Sequence, residues 1–359
     1  MSILTIIIFV VIFSLLILVH ELGHFWVAKR AGVKVEEFGI GLPPRIWGIK
    51  KKNTIYSINW IPFGGFVRVK GEGGEDLKDK DSLKSQNYLV QILFTIGGVL
   101  MNFATAYVVL MIGFWLGMPP MATDVTAYVT DQERITSQIL VLHVDKESPA
   151  EIAGIQPGDL ILEVDGTVLS TVEDLQQALT GKRSASLLLQ RDGETVQVTS
   201  ATIFEENRQI IGVLADELVE RVNYVWWQVP LLALQELWNL LKAIAIAIVG
   251  ILTKLVITAS VPESIAGPVG IAKITAQVVR LGFLSVLQFI IFLSVNLGLI
   301  NIVPFPALDG GRLVFLIAEV FRGGKRIKPV VENAIHSIGF LLLLAFIFVV
   351  TYRDILKFF

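Results

Sequence analysis

Four long runs of this 359-residue chain are almost purely hydrophobic. Three of them, residues 2–19, 88–117 and 281–308, contain no charged residue, and His336 is the only side chain that titrates near neutral pH in the fourth, residues 333–352. Each run is close to the length of about 20 residues that an α-helix needs to cross roughly 30 Å of hydrocarbon. The pattern predicts four transmembrane helices, with approximate bounds 3–27, 88–117, 282–318 and 333–352.

A fifth apolar stretch, residues 226–259, is interrupted by polar side chains, including Glu236, Lys242 and Lys254. Its longest uncharged part, residues 243–253, is about half a membrane crossing. We therefore predict that this stretch lies on the membrane surface as an amphipathic helix, with its tryptophans at the interface. It belongs to a connector that spans residues 219–280.

Short alternating runs separated by turn residues lie between the second and third predicted helices. Residues 139–144, 186–191 and 195–199 alternate as strands, and residues 172–179 have helical spacing. The pattern SPA-x-x-AG-x-x-x-GD-x-I-x-x-VDG, which begins at Ser148, resembles the PDZ domains of bacterial envelope proteases. We expect an α+β PDZ domain over residues 120–218, which would bind an extended peptide at a sheet edge.

Two β-type runs lie between the first two predicted helices. Residues 54–60 and 63–69 are rich in β-branched and aromatic side chains, and Pro62 and two glycines separate them. We predict that the two runs form a hairpin, over about residues 38–70, that re-enters the membrane. Non-helical backbone is tolerated there only where protein or a wet cavity covers it. A cytoplasmic hairpin lying on the membrane surface is the alternative.

The composition agrees with a membrane protein, and the charges predict its orientation. Charged residues make up 17% of the chain, against about 25% in soluble domains, which excludes a cytosolic enzyme and a disordered chain. The absence of cysteine excludes a disulfide scaffold. Residues 29–87 carry twelve Lys or Arg, whereas residues 120–225 carry eighteen Asp or Glu against seven Lys or Arg. Basic loops stay in the cytoplasm, so we expect both termini and the PDZ domain outside.

The motif His20-Glu21-Leu22-Gly23-His24 ends the first predicted helix. Residues four apart share a helix face, so both imidazoles can reach one metal ion, and Glu21 is placed to activate a water molecule as general base. Ionisable groups inside an apolar helix are costly and mark function. The motif predicts a catalytic site with one Zn²⁺ per chain.

A catalytic zinc ion takes three protein ligands and keeps one position open. Asp309 follows the membrane entry of the third run by about 25 residues, and His20 follows that of the first run by about 17. At 1.5 Å per helical residue, and allowing for the non-helical stretch that Pro304 and Pro306 impose, both fall in the cytoplasmic half of the bilayer. We expect Asp309 to be the third ligand. His143, in the predicted PDZ domain, and His336, alone at the start of the last run, are weaker candidates.

Together these features resemble the site-2 protease family of intramembrane zinc metalloproteases, in its bacterial regulator of sigma-E protease branch. The resemblance rests on HELGH in the first helix, GGFV in the hairpin, a single PDZ domain and N-x-x-P-x-P-x-LDG at residues 301–310. It implies an α-helical polytopic membrane protein with four transmembrane helices, a re-entrant β-hairpin and an inserted α+β PDZ domain. The two membrane halves are then residues 1–119 and 281–359.

The resemblance also implies roles for individual residues. His20, His24 and Asp309 would bind zinc, with Glu21 as general base. Asparagines that match Asn296 and Asn301 contact substrate in the family, and the second helix carries the family's G-x-x-x-N motif. We assign six residues to the substrate-binding set: Asn296, Asn301, Asn102, Gly64, Gly65 and Phe66.

The expected function is regulated intramembrane proteolysis of single-span membrane proteins, such as anti-sigma factors or remnant signal peptides. The expected partners are these substrates, a peptide or protein ligand of the PDZ domain and the lipid bilayer, without nucleic acid. We expect the bacterial inner membrane, with the catalytic site towards the cytoplasmic half of the bilayer. Two other functions stay open: a PDZ receptor whose metal is structural and has four protein ligands, and a metal transporter, although transporters commonly have repeated halves and no motif repeats here.

Overall fold

A computed structural model of the chain describes residues 3–73, 79–123, 127–129, 135–169, 171–191, 193–205, 208–258 and 266–358. The chain divides into two compact units. The helical unit combines residues 1–113 with residues 230–359, and the inserted unit comprises residues 114–229.

Long helices and a long hairpin form the helical unit, and short strands dominate the inserted unit. In chain order the elements are α1 (Ile3–Arg30), β1 (Val35–Lys51), β2 (Thr54–Val69), a 3₁₀ turn (Leu83–Ser85), α2 (Tyr88–Trp115), β3 (Ile135–Val144), α3 (Pro149–Ile152), β4 (Leu160–Val164), β5 (Thr167–Val168), α4 (Val172–Leu179), β6 (Ser184–Arg191), β7 (Glu194–Ala201), β8 (Ile203–Glu205), β9 (Arg208–Ile210), β10 (Val213–Val222), α5 (Val229–Thr258), α6 (Pro268–Arg280), α7 (Phe283–Ile302), α8 (Asp309–Phe321) and α9 (Pro329–Phe358).

Among the described residues, five helices are long and apolar enough to cross a membrane: α1, α2, α5, α7 and α9. Four of them correspond to the predicted transmembrane helices. The fifth, α5, covers the stretch that the sequence predicts on the membrane surface. It is one continuous helix of 30 residues, so its charged positions interrupt the apolar pattern without interrupting the helix. Its location on the membrane surface stays a prediction, and residues 259–265 of the predicted connector lie outside the described residues.

The third predicted helix, residues 282–318, is two helices joined by a turn. α7 ends at Ile302, and α8 begins at Asp309. Pro304 and Pro306 have no backbone N–H to donate, and their rings clash with the preceding helical turn, so the helix cannot continue through them. As a result Asp309 opens a new helix instead of lying inside a long one.

β1 and β2 form one long hairpin that is folded over on itself. Residues 37–40 of β1 pair with residues 65–68 of β2 on one side and with residues 55–58 on the other. Residues 45–51 of β1 pair in turn with residues 54–59 of β2. Four short segments therefore lie side by side where the sequence indicated a simple hairpin.

The prediction that residues 54–60 and 63–69 pair with each other is wrong. Both belong to the single strand β2, and both pair with β1. Two β-type runs separated by turn residues are typical of a chain reversal. Here Pro62 and Gly64, which has a φ of 75°, bend the strand without reversing it. The predicted span of the hairpin, residues 38–70, differs from the observed one by three residues at its N-terminal end and by one at its C-terminal end.

The hairpin runs alongside α1 for most of the length of that helix. At one end Lys29 Nζ donates a hydrogen bond to Thr54 Oγ1 at 2.6 Å, and at the other end the ring of Phe63 stacks on that of Phe13, with centroids 6.1 Å apart. Lys29 and Phe13 are 16 residues apart, which corresponds to about 24 Å of helix. The sheet thus accompanies an apolar helix through most of the thickness of a hydrocarbon core, which supports the re-entrant interpretation.

The inserted unit is an α+β domain, as predicted. Its main sheet has the strand order β10-β3-β4-β6-β7, with β5 paired to β4, and its core contains fully buried strand residues such as Ile139, Ile161 and Leu187. α4 has the predicted bounds, because Thr171 and Asp174 form a reciprocal capping box at its start.

Candidate metal centre

Two histidines of α1 and one aspartate of α8 meet in the helical unit. His20 and His24 are one turn apart on the same face of α1, and Asp309 is the first residue of α8. The Nε2 atoms of His20 and His24 lie 3.0 and 3.3 Å from Asp309 Oδ2, and 3.2 Å from each other. In the described part of the chain no other set of three such side chains converges in this way.

The spacing of these three atoms fits a zinc ion. Tetrahedral ligand bonds of about 2.0–2.1 Å separate neighbouring ligand atoms by roughly 3.3–3.4 Å, close to the observed distances. Three atoms with lone pairs repel one another at this spacing, and either a proton or a metal cation between them relieves the repulsion. Two imidazoles and one carboxylate also leave a fourth position open, as catalytic zinc sites do.

Each imidazole is held by a contact on its other nitrogen. His24 Nδ1 donates a hydrogen bond to the Phe94 carbonyl oxygen at 2.7 Å, which leaves its Nε2 free for a metal ion. His20 Nδ1 lies 3.1 Å from the side-chain amide of Asn102, a fully buried residue whose Oδ1 has no hydrogen-bond partner among the described residues. The oxygen and nitrogen of an amide are interchangeable in shape. With this amide turned, Oδ1 accepts the Nδ1 proton of His20, and that ring too is oriented for metal binding.

Glycines bring α1 and α2 into contact directly beside the metal centre. A Cβ atom on Gly98 would lie 2.6 Å from both His20 Nε2 and His24 Nε2. A Cβ atom on Gly23 would lie 2.2 Å from the carbonyl oxygen of Gly97, so the two helix backbones touch. Glycine at position 98 is therefore what leaves room for both imidazoles.

The turn that carries Asp309 is held by α9. The backbone N–H of Ala307 donates a hydrogen bond to His336 Nδ1 at 3.0 Å, and Ala307 has a φ of 84°, which residues with a side chain rarely adopt. A Cβ atom on Gly339 would lie 2.4 Å from the carbonyl oxygen of Pro306, so α9 packs directly on the turn. The sequence analysis missed this role of His336. The available signal was a polar side chain inside an apolar run, which needs a partner in lipid.

Glu21 shares a cavity of about 370 Å³ with the three converging side chains. Glu21 Oε2 accepts a hydrogen bond from the backbone N–H of Val67 in β2 at 3.1 Å. The predicted general base is thus in contact with the β1–β2 hairpin. Two of the predicted substrate-binding residues, Phe66 and Asn301, line the same cavity.

The other predicted substrate-binding residues do not line this cavity. Gly64 and Gly65 lie on β2 against α1, where the backbone N–H of Gly64 donates a hydrogen bond to Ser14 Oγ at 3.2 Å. Asn296 Nδ2 donates a hydrogen bond to the Phe292 carbonyl oxygen of its own helix at 2.8 Å. Asn102 is buried against His20, as described above. Substrate contacts by Gly64, Gly65 and Asn296 stay predictions.

An ion pair that the sequence did not reveal closes one wall of the cavity. Arg312, one turn after Asp309 in α8, pairs with Glu72, which follows β2, and both line the cavity. Nearby, Lys84 Nζ lies 3.2 Å from Glu332 Oε2 of α9. Because the partners are more than 200 residues apart, no local pattern could indicate these pairs.

Proteins of similar sequence come from several bacteria. The chain is 34% identical over 347 residues to a protein of Clostridium perfringens described as a zinc metalloprotease, with 96% of each chain covered. It is 31% identical to the zinc metalloprotease RasP of Shouchella clausii and 29% identical to the regulator of sigma-W protease RasP of Bacillus subtilis, with 99% of each chain covered.

Among solved structures, the PDZ domain of an SdrC-like protein of Listeria innocua matches 22% of this chain and 92% of its own length, at 19% identity and a TM-score of 0.21.

The sequence also matches Peptidase family M50 over residues 8–346. Since this match covers nearly the whole chain, and the site holds the side chains that a zinc peptidase needs, the chain belongs to Peptidase family M50, the site-2 protease family, and is a zinc metalloprotease.

Proposed function

We propose that this metalloprotease performs regulated intramembrane proteolysis, in which it hydrolyses a peptide bond within the transmembrane segment of single-span membrane proteins. The observation that carries the proposal is the convergence of His20, His24 and Asp309 with Glu21 around one cavity. Three of these four residues lie on α1, a helix apolar enough to cross a membrane. Ionisable groups at such a depth are costly and are retained for function. Three protein ligands also favour a catalytic zinc over the structural one of a receptor, which would have four.

In this mechanism His20, His24 and Asp309 hold the zinc ion. When bound, zinc would lower the pKa of a water molecule to about 7 and polarise the scissile carbonyl group. Glu21 takes the proton of the attacking water and returns it to the departing amine. The Val67 N–H holds Glu21 through Oε2, so Oε1 stays available for the proton.

Asn102 acts on His20 instead of on the substrate in this proposal. Its side chain is fully buried and its amide lies 3.1 Å from His20 Nδ1. An acceptor at this place keeps the proton on Nδ1 and leaves Nε2 to the metal ion. The carbonyl oxygen of Phe94 does the same for His24.

The substrate must unwind before it can be cut, because a transmembrane helix keeps its peptide bonds inside its own hydrogen-bond ladder. We infer that β2 replaces the lost bonds. In the described sheet its residues 65–68 pair with β1 along one edge only, and Phe66 and Val67 of this segment line the cavity. An extended substrate that adds to the edge that β1 leaves free regains backbone partners there, apart from the Val67 N–H, which donates to Glu21. Asn301, also in the cavity wall, offers a further amide.

We propose that the inserted unit is a PDZ module that binds an extended peptide or protein at a sheet edge. The protein would lie in the bacterial inner membrane, with the basic segment 29–87 entering from the cytoplasmic side. The inserted unit and both termini would lie outside, and the catalytic site in the cytoplasmic half of the bilayer. Because the chain has no cysteine, single substitutions test this orientation cleanly. Ser186→Cys should react with an impermeant thiol reagent in intact cells, and Lys325→Cys only after permeabilisation; the reverse result would contradict the orientation.

The experiment that tests the activity compares Glu21→Gln with Glu36→Gln, a matched change on β1. Purified protein is incubated in detergent with a single-span model substrate. Removing a general base slows the reaction about 10²–10⁴-fold, and Glu21→Gln should do so while it keeps about one zinc ion per chain, because Glu21 is not a ligand. Glu36→Gln should keep both zinc and activity. Unchanged cleavage by Glu21→Gln would contradict the mechanism.

The physiological substrates are proposed to be anti-sigma-factor-like regulators or remnant signal peptides. The Bacillus subtilis relative is named regulator of sigma-W protease, which supports the first class. Quantitative proteomics of membranes from cells that carry the wild-type or Glu21→Gln protein would identify them. Single-span fragments that accumulate with the variant are the expected result, and multi-span proteins accumulating instead would contradict the substrate class.

A further inference from the structure

A second cavity, of about 640 Å³, lies where the tip of the β1–β2 hairpin meets the end of α1. Phe25 and Lys29 of α1 line it together with Lys51, Lys52 and Tyr56 of the hairpin. Its walls thus combine three ammonium groups with two aromatic rings. Its volume is within the range of about 300–1,000 Å³ that is typical of small-molecule sites.

The three lysines of this cavity have no acidic partner in the described part of the chain. Lys29 Nζ donates one hydrogen bond to Thr54 Oγ1 at 2.6 Å and lies 5.6 Å from the centroid of the Phe25 ring. Lys52 occupies the hairpin turn with a φ of 54°. Like charges brought together around one space repel one another, and an anion in that space relieves the repulsion. The cavity therefore selects a negatively charged ligand.

The surroundings of the cavity indicate that this ligand belongs to a lipid. Lys29 and Arg30 form the basic last turn of the apolar helix α1, which is the level where such a helix leaves the hydrocarbon. Trp26 and Trp47 nearby in the chain are 53% and 55% exposed. Exposed tryptophans next to lysines are typical of the membrane–water interface, where lysine reaches the phosphate groups.

The cavity is also separated from the edge of β2 that we propose for substrate. Tyr56 lies in the segment 55–58, which is on the other side of residues 37–40 from the segment that carries Phe66. Two strand spacings amount to about 10 Å. A substrate strand on the free edge would therefore not cover these lysines.

We propose that the cavity lined by Lys29, Lys51 and Lys52 binds the phosphate headgroup of an anionic phospholipid of the cytoplasmic leaflet. The lipid would anchor the hairpin tip at the interface, while the other end of the hairpin lies deep beside Phe13. This inference concerns a site apart from the metal centre, and it stands whether or not the proposed substrates are correct.

The test uses the full-length protein and native mass spectrometry with phosphatidylglycerol, compared with phosphatidylcholine. The double variant Lys51→Gln/Lys52→Asn removes two of the charges, with asparagine chosen because it tolerates a positive φ. Each lysine at an anionic membrane surface contributes about a five-fold gain in affinity, so this variant should bind phosphatidylglycerol about 25-fold more weakly. Lys325→Gln/Lys328→Gln, an equal change of charge in the exposed loop before α9, should change the affinity less than two-fold. Zinc content serves as the check that each variant is folded.

Phosphatidylglycerol adducts that survive on the wild type, weaken in the first variant and persist in the second would support the proposal. An equal loss in both variants would show a general charge effect and overturn it. Displacement of phosphatidylglycerol by millimolar glycerol 3-phosphate would assign the site to a soluble phosphate ester instead. If the Lys51→Gln/Lys52→Asn variant binds the lipid as well as the wild type does but cleaves substrates with acidic residues beside the transmembrane segment more slowly, the lysines bind substrate. That result would also overturn the proposal.

Discussion

Replacing Gly98 with alanine adds a single methyl group, and we expect it to dismantle the metal centre. The new Cβ atom would lie 2.6 Å from His20 Nε2, His24 Nε2 and His20 Cε1. Non-bonded heavy atoms approach comfortably to about 3.5 Å, so the overlap with both rings is about 0.9 Å. Metal ligands tolerate displacements of about 0.2 Å. Moving the two rings away from the methyl group therefore takes both ligands out of position.

The alternative relaxation, a shift of α2 away from α1, also damages the site. The backbones already touch at Gly23 and Gly97, and α2 carries the groups that orient both imidazoles. A shift of about 0.9 Å would lengthen the His20–Asn102 contact from 3.1 Å to about 4.0 Å, and the His24–Phe94 hydrogen bond from 2.7 Å to about 3.6 Å, beyond hydrogen-bonding range. Loss of one such orienting contact costs about 10–100-fold in metal affinity.

We therefore expect Gly98→Ala to bind zinc at least about 100-fold more weakly than the wild type and to lose proteolysis in proportion. Zinc content by mass spectrometry and chelator competition measure the affinity, and size-exclusion chromatography checks the fold. Gly250→Ala is the matched control, because no described residue beyond the surrounding turns of α5 comes within 4 Å of a Cβ atom at that position. If Gly98→Ala holds one zinc ion per chain with wild-type affinity, the packing argument is refuted.

Three further changes test individual contacts. Asn102→Leu removes the acceptor for His20 and should lower zinc affinity about 10–100-fold, measured by chelator competition. His336→Leu leaves the N–H of Ala307 without its acceptor; it should lower the free energy of unfolding by about 1–3 kcal/mol and also weaken zinc binding, because Asp309 is two residues away. In the inserted unit, Arg191→Met leaves Asp159, which is 1% exposed and accepts two hydrogen bonds of 2.7 Å from Arg191, as a buried unpaired charge. Limited proteolysis should show that the free energy of unfolding of the inserted unit falls by about 3 kcal/mol, and the zinc content should not change.

Each of these changes has a matched control. Asn102→Asp keeps an acceptor and should hold zinc within a few-fold of the wild type; a loss equal to that of Asn102→Leu would exclude the orienting role. His336→Gln offers a side-chain oxygen as acceptor in place of Nδ1 and should keep zinc. Ser337→Ala changes only the neighbouring position of α9 and should keep zinc as well. Lys182→Met breaks an exposed ion pair of the inserted unit, so its proteolysis should match that of the wild type. Equal proteolysis of the Arg191 and Lys182 variants would show that burial of Asp159 does not matter.

The convergence of the metal group followed from two kinds of regularity in the sequence. The period of 3.6 residues places His20 and His24 on one face of α1. The rise of 1.5 Å per residue places Asp309 at a similar depth in the bilayer, and in the structure its Oδ2 lies 3.0 Å from His20 Nε2. The first argument needs only the geometry of a single helix, and the second also allows for the proline-broken turn between α7 and α8. The pairing of β1 with β2 depends on contacts between segments, so a pattern of alternation could indicate strands but not their partners.

The contacts around the metal group were also out of reach of local patterns, although the residue types pointed to them. Asn102, Ser294 and His336 are polar positions in long apolar helices, and each has a partner near the centre. Ser294 Oγ donates a hydrogen bond to the Asn102 carbonyl oxygen at 2.8 Å, and the other two reach His20 and the turn before Asp309. An unsatisfied polar group in hydrocarbon costs several kcal/mol. A polar side chain on an apolar helix therefore needs a partner, which is a group at the metal centre for these three residues and the carbonyl oxygen of Phe292 in its own helix for Asn296. The residue type alone indicates that a partner exists, and the three-dimensional fold decides which group it is.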